Sequence, residues 1–289
     1  MSEKICVVAT TNAPAQQVLD FVNYHLNIGV DHVFLFFDSE LKKNYNGLIK
    51  LKDVTCFFRP RNRSEKIEDV QRRNANHALE VARKKRFDWI SHLDADELIY
   101  LTRYGAGLKS FLSRISRHVD YIRLPTIEAT PEKLEYEHPL REVNLFKHNF
   151  WKLSKLFFRG HISGKSIVRV GPRIESLGIH LPEPHKKLRV KFIVFGARLM
   201  HFNRCSYLTW KRSFIPLMSK NCKSHEGNAT LISIINEFEK CYENGDEEQL
   251  MRLYKRQFFV SERIKRLFLL LGIMERIKID GRMFSRRMI

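Results

Sequence analysis

Apolar and polar positions follow distinct spacings along the first hundred residues, and those spacings predict the elements. Residues 4–9 (KICVVA) are a short, nearly continuous apolar run, which predicts a strand buried on both faces. Val18, Phe21, Val22 and Leu26 then recur at helical spacing; Asn12 is a suitable N-cap, Pro14 suits a first turn and Gly29 ends the helix. Residues 33–37 (VFLFF), closed by Asp38, predict a second strand, and residues 54–58 (VTCFF) a third. Ser64 is read as the cap of a helix reaching about Arg86. Its first turn holds Glu65, Glu68 and Asp69 and its last Arg83, Lys84, Lys85 and Arg86, the charge order the helix dipole favours. Residues 89–93 (WISHL) predict a fourth strand that runs into Asp94-Ala95-Asp96-Glu97.

Apolar strands alternating with amphipathic helices predict an α/β fold, a mostly parallel sheet covered on both faces. Ligands of such sheets bind beyond the carboxyl ends of the strands. Three polar clusters fall there: Thr10 with Thr11, Asp38, and residues 94–97. The turn after the first strand, ATTNAP, contains no glycine, and no GxxxxGK[ST] occurs, which excludes the usual dinucleotide and P-loop routes.

Composition adds three constraints. With 289 residues and 44% hydrophobic content the chain builds a sizeable core, as one large domain or a domain with an appendage. No run of about 18 apolar residues occurs and the N-terminus does not read as a secretory signal, so a cytoplasmic location is expected. Five scattered cysteines without a CxxC pair fit reduced thiols. The net charge of +19 is unevenly spread: residues 1–100 hold 15 Lys and Arg against 14 Asp and Glu, so nearly all the excess lies downstream. Such a field attracts phosphates, anionic lipid, nucleic acid or acidic glycans without choosing among them.

Asp94 and Asp96 are the sharpest chemical signal. On an extended backbone both carboxylates would point the same way. They would repel unless a divalent cation stood between them and a diphosphate, and Mg²⁺ or Mn²⁺ commonly shares carboxylate ligands with substrate phosphates. Read without context, the pair is a polar strand-to-loop transition; its place on the binding rim favours the chemical reading.

Four segments in order, FVNYHLNIGVDHVFLFFDSE, QRRNANHALEVARKKRFDWISHLDADELIYL, GKSIVRVGPRIESLGIHLP and HFNRCSYLTWKRSF, resemble the glycosyltransferase family 2-like group, the DxD enzymes close to family 92. The likeness covers roughly residues 4–215. It implies a GT-A fold and transfer of a sugar from a nucleotide-diphosphate donor, with inversion. By this resemblance Asp94 and Asp96 form the metal and diphosphate motif and His180 supplies a third metal ligand. Asp38 contacts the nucleotide, Thr10 and Thr11 line the base and ribose pocket, and Gln71 and Asn74 present polar groups to the same rim. Lys165 and Arg169 meet phosphate or sugar. The chain departs from the family between about 127 and 155, where the acceptor site and general base are expected. Glu128, Glu132 and Glu135 are available there, with Glu128 preferred as base; Glu97 is read as orienting the metal motif, and His92 as packing beneath the sheet.

Residues 190–195 predict a further strand. From Ser206 onward the spacing is helical, with one stripe of Leu231, Ile232, Ile235 and Phe238 and another of Leu250, Leu253, Tyr254 and Phe258. The expected organisation is a GT-A domain over 1–205 and a helical basic extension over 206–289. The extension is read either as an in-plane helix on an anionic membrane, near lipid-linked or glycan acceptors, or as a helix packed on the core. Two other functions compete. A sugar-phosphate nucleotidyltransferase would need a glycine-rich basic loop after the first strand, and a nucleic-acid binder would need basic and aromatic residues interleaved; both are lacking.

Overall fold

The computed structural model describes residues 3–38, 45–62, 65–102, 107–148, 164–192, 196–218 and 229–285. The first strand, β1 (Ile5–Thr11), is buried along its whole length. Gly29 closes α1 (Ala15–Ile28) in the left-handed conformation, at φ 109°. Pro14, not Asn12, occupies the N-cap, and no side chain caps this helix. Then follow β2 (His32–Phe37), the short α2 (Asn46–Ile49), β3 (Val54–Phe58) and α3 (Ile67–Lys84), whose N-cap is Lys66. Ser64, expected to cap α3, lies outside the described residues.

β4 (Trp89–His92) pairs in parallel with β1, and β1 with β2 and β2 with β3. Side chains alternate as a doubly covered sheet requires. Val7, Ala9, Val33 and Leu35 enter the core beside α1, and Cys6, Val8, Phe34 and Phe36 the core beneath α3. The expected α/β class, a mostly parallel sheet covered on both faces, is borne out.

Beyond β4 the chain crosses to a second sheet through residues 93–96 and enters β5 (Glu97–Leu101). α4 (Gly107–Ser113), β6 (Tyr121–Leu124), β7 (Thr126–Ala129), α5 (Pro139–Glu142) and β8 (Leu145–His148) follow. Next come β9 (Lys165–Arg169), the small hairpin of β10 (Ser176–Leu177) and β11 (Pro182–Glu183), β12 (Val190–Phe192) and β13 (Ala197–His201). The first sheet has seven strands, ordered β12-β6-β9-β4-β1-β2-β3, with β9 antiparallel to β4 and β6. Of the strand expected over 190–195, only 190–192 lie within the described residues as β12.

The helices α6 (Tyr207–Met218), α7 (Ala229–Glu243) and α8 (Glu247–Phe258) enclose a core of their own around Trp210, Phe214, Phe238 and Tyr254. Ile234, Ile235 and Phe238 form the buried stripe of α7. The segment after α9 (Glu262–Leu270) does not continue this helical unit. β14 (Met274–Arg276) pairs with β8, completing a five-stranded second sheet ordered β14-β8-β7-β13-β5. Phe284 then enters the core against α1, where Asn23 donates a hydrogen bond to its carbonyl at 3.0 Å. The residues after 205 are therefore a helical unit followed by a return to the main body.

Candidate active site

Asp94, Ala95 and Asp96 form the link between the two sheets, from the end of β4 to the start of β5. The link is a tight turn rather than extended chain. The Glu97 N–H donates to the Asp94 carbonyl at 3.0 Å, and the Asp94 N–H donates to Glu97 Oε2 at 2.8 Å. The expected alignment of two carboxylates on an extended strand is thus replaced by a turn pinned by Glu97.

The turn divides open groups from buried ones. The side chains of Asp94 and Asp96 keep 33% and 31% of their exposure, whereas Glu97, Lys165, His201 and Glu128 keep 5%, 1%, 7% and 9%. Two part-exposed carboxylates thus stand in front of a shell of buried charge. Lys165 Nζ donates to Asp94 Oδ2 at 2.9 Å and lies 3.5 Å from Glu97 Oε2. Gln71 Nε2, from α3, donates to the other Asp94 oxygen at 3.1 Å. His201 Nδ1 meets Glu128 Oε1 at 2.9 Å, and its Nε2 lies 3.9 Å from Asp96 Oδ2.

These contacts set the charges. Burial alone would raise the Asp94 pKa, but the Lys165 ammonium, with smaller contributions from His92 and His201, outweighs it and holds the carboxyl well below its usual range. Burial raises Asp96, against the pull of His201, and burial likewise raises Glu97 against Lys165. Burial would discharge His201, yet the carboxylates of Glu128, Asp96 and Glu97 together outweigh it and lift the imidazole to about 10. Desolvation and partner charge thus act in opposite directions within one small site.

The remaining rim residues find partners in the protein. Asn74 Nδ2 donates to Thr10 Oγ1 at 3.1 Å, while Asn74 Oδ1 is buried with no hydrogen-bond partner among the described residues. Thr11 Oγ1 accepts from the Ala13 N–H at 3.0 Å. Asp38 accepts from the Arg61 N–H at 2.6 Å and pairs with the Arg61 guanidinium at 3.2 Å. His92 is buried, near the Gly178 carbonyl at 3.3 Å, and burial lowers its pKa to about 4, in line with packing beneath the sheet. Arg169 stacks over Trp89, 4.0 Å from the ring centroid, and donates to the Val119 carbonyl at 3.1 Å, which is a structural role.

Gly164 explains how Lys165 enters the site. Its φ is 61°, and a Cβ built there would stand 2.3 Å from the Leu124 carbonyl oxygen, so only glycine lets β9 start this close to the end of β6. His180 Nδ1 lies 3.0 Å from the Gly164 carbonyl oxygen. Among the described residues no three His, Cys, Asp or Glu side chains converge closely enough to hold a metal ion, so Asp94, Asp96 and His180 are not a preassembled ligand set.

The three glutamates of the divergent segment separate. Glu128, preferred as base, lies buried against His201, its Oε1 2.9 Å from the His201 Nδ1. Glu132 pairs with Lys265 at 2.7 Å and with Arg276 at 2.8 Å, and Glu135 accepts from the Leu208 N–H at 2.9 Å. Both tie the segment to the C-terminal elements. Sequence reading gave His201 no role although it lay within a family-like segment; its position opposite Glu97 and Glu128 becomes visible only through strand pairing.

The model of glycosyltransferase family 92 matches residues 4–240. Two glycosyltransferase-like proteins of Arabidopsis thaliana, At3g57200 and At2g41451, are 23% and 24% identical over 96% and 73% of this chain. The chain spans 62% and 56% of their lengths. Among solved structures, HddC from Yersinia pseudotuberculosis is 14% identical, with a TM-score of 0.40, covering 74% of this chain and 100% of that one.

Proposed function

The chain belongs to glycosyltransferase family 92, and on that footing we propose that it moves a sugar from a nucleotide-diphosphate donor to a glycan or lipid-linked acceptor, with inversion, in the synthesis of a surface polysaccharide or glycoconjugate. The observation that carries this reading is the pair of part-exposed carboxylates, Asp94 and Asp96, backed by buried Lys165, Glu97, His201 and Glu128.

The donor set fits Mn²⁺ or Mg²⁺. Asp94 and Asp96 offer the hard carboxylate oxygens that such an ion shares with substrate phosphates. His201, held by Glu128 at 2.9 Å, stands as a fixed positive charge behind Asp96. The ion's remaining positions would fall to donor phosphates and water, since no third protein ligand converges with them among the described residues. When bound, the ion would neutralise charge developing on the leaving diphosphate. Gln71 and Glu97 fix the Asp94 turn, and Lys165 keeps Asp94 ionised. Thr10, Thr11 and Asn74 line the rim on which base and ribose would lie, with the unpartnered Asn74 Oδ1 as an acceptor for the donor. Asp38 reaches the nucleotide alongside its partner Arg61.

Contact with a membrane is the second part of the reading. Leu267, Leu270 and Leu271 are exposed, Leu270 at 84%, at the end of α9. Arg263 and Arg266 are exposed on the same helical face. Three apolar side chains beside two cations suit shallow insertion into an anionic leaflet from its surface. Among the described residues no helix is long and apolar enough to cross a membrane. The test of the catalytic reading is a thermal-shift screen of UDP-, GDP-, dTDP- and CDP-sugars with and without Mn²⁺. A shift that requires the metal and is lost in D94N/D96N supports it; no shift with any donor refutes it.

A further inference from the structure

Arg204 stands in the turn after β13, three residues beyond His201. Its φ is 53°, a left-handed conformation that costs a side-chain-bearing residue about 1 kcal/mol or more. The surrounding structure imposes that cost. The Phe202 N–H donates to the Asp96 carbonyl at 2.8 Å, which binds this turn to the carboxylate turn. On the other side the Tyr254 hydroxyl reaches the carbonyls of Arg204 at 3.1 Å and Cys205 at 2.7 Å. The Tyr207 N–H donates to the Leu134 carbonyl at 2.8 Å.

The turn holds a part-buried guanidinium. It lies over the Phe214 ring, 5.0 Å from the centroid, and feels the charge of the Asp96 carboxylate. Burial pushes its pKa down, with Asp96 opposing. Among the described residues none of its N–H groups donates a hydrogen bond. A guanidinium carries five donors and does not shed its charge at any working pH. A part-buried one with no acceptor among the described residues, on a backbone held in the left-handed region beside the carboxylate turn, is arranged for an anion that arrives from outside.

Resting on the glycosyl-transfer reading, we propose that Arg204 binds the diphosphate of the donor, its planar fork taking phosphate oxygens on the Asp96 side of the site. The choice of diphosphate follows from the attachment of the two turns: the Phe202 N–H bond to the Asp96 carbonyl holds the backbone that carries Arg204 beside the backbone that carries Asp96, so the long Arg204 side chain is proposed to meet the group that Asp96 meets. Planar, paired donors match phosphate oxygens better than an ammonium does. The same contact holds the nucleoside diphosphate after transfer, when its charge is greatest.

The experiment compares wild type, R204Q and R204K by calorimetry with Mn²⁺ and UDP, GDP, UMP, GMP or inorganic pyrophosphate. R204Q keeps the side-chain stem over Phe214, and a melting temperature near that of wild type establishes its folding. The expected result is a loss of about 10–100-fold in diphosphate and pyrophosphate affinity, with monophosphate affinity changed less than about threefold and R204K between the two. Unchanged pyrophosphate and diphosphate binding in R204Q overturns the assignment, as does an equal loss for monophosphates. Wild type that binds pyrophosphate but no nucleotide, with the loss in R204Q retained, refutes the glycosyl-transfer reading and leaves the anion site standing. Wild type that binds neither refutes both.

Discussion

His201 Nδ1 stands 2.9 Å from Glu128 Oε1, and the two residues occupy paired positions on β13 and β7. Glu97 on β5 pairs with His201 from the other side, and Lys147 on β8 pairs with Glu128. Four neighbouring strands thus carry one row whose charge alternates from Glu97 through His201 and Glu128 to Lys147. Burial lowers Lys147 to about 8, with Glu128 opposing. The row ends at the carboxylate turn, so the second sheet supplies the electrostatic floor of the site.

Removing one member of a buried pair leaves the other uncompensated. E128L is expected to lower stability by about 3–5 kcal/mol, and E128L/H201L by clearly less than the sum of the two single changes. A double-mutant cycle by urea denaturation reads the difference. Additive costs would mean that the 2.9 Å contact contributes no coupling.

Lys165 is almost wholly buried and faces Asp94 and Glu97. K165M removes the only charge offsetting them that comes from β9 and is expected to destabilise the protein by about 3–5 kcal/mol. E97Q in the same background should recover part of the loss. Recovery of nothing, in matched denaturation curves, would show that the pairing with Glu97 is incidental.

Glu132 gives a pH dependence. Hydrogen bonds from Arg276 and Lys265 outweigh burial and hold its carboxyl at about 2. The folded-state pKa lies below the unfolded value of about 4.3, so its stabilisation is complete above about pH 5 and is lost as pH falls towards 2. The side chain is about a third exposed, so screening leaves about 1 kcal/mol. E132Q should flatten the stability profile by that amount over this range, measured by denaturation at several pH values.

The lipid reading of α9 makes its own demand. Wild type should co-sediment with vesicles containing anionic phosphatidylglycerol, and not with neutral phosphatidylcholine vesicles. L270D/L271D should reduce binding about tenfold or more, whereas salt alone should weaken it only in part. Equal binding of the variant would place the contact elsewhere.

The parts of the molecule legible in the sequence were those set by local pattern. β1 and β2 are apolar without interruption because both faces are covered, and the acidic turn announced itself by following an apolar strand. Gln71 and Asn74 were readable as one helix face, and both do reach the rim. What the sequence hid depends on pairing between distant segments. His201 lies 73 residues from Glu128, and no periodicity links them. Asn12 carried good capping chemistry, but the helix begins behind Pro14, beyond its reach. Phe284 returns to α1 across 261 residues, which a reading of 206–289 as one helical extension does not anticipate.

The central claim is that Asp94 and Asp96 hold a divalent ion and, through it, a donor diphosphate. Isothermal titration of a nucleoside diphosphate into the protein, with Mn²⁺ and with excess chelator, tests it most directly. Binding that needs the metal, and falls at least about 100-fold in D94N/D96N while the fold persists, is the predicted result. Affinity indifferent both to chelator and to the double substitution would contradict it.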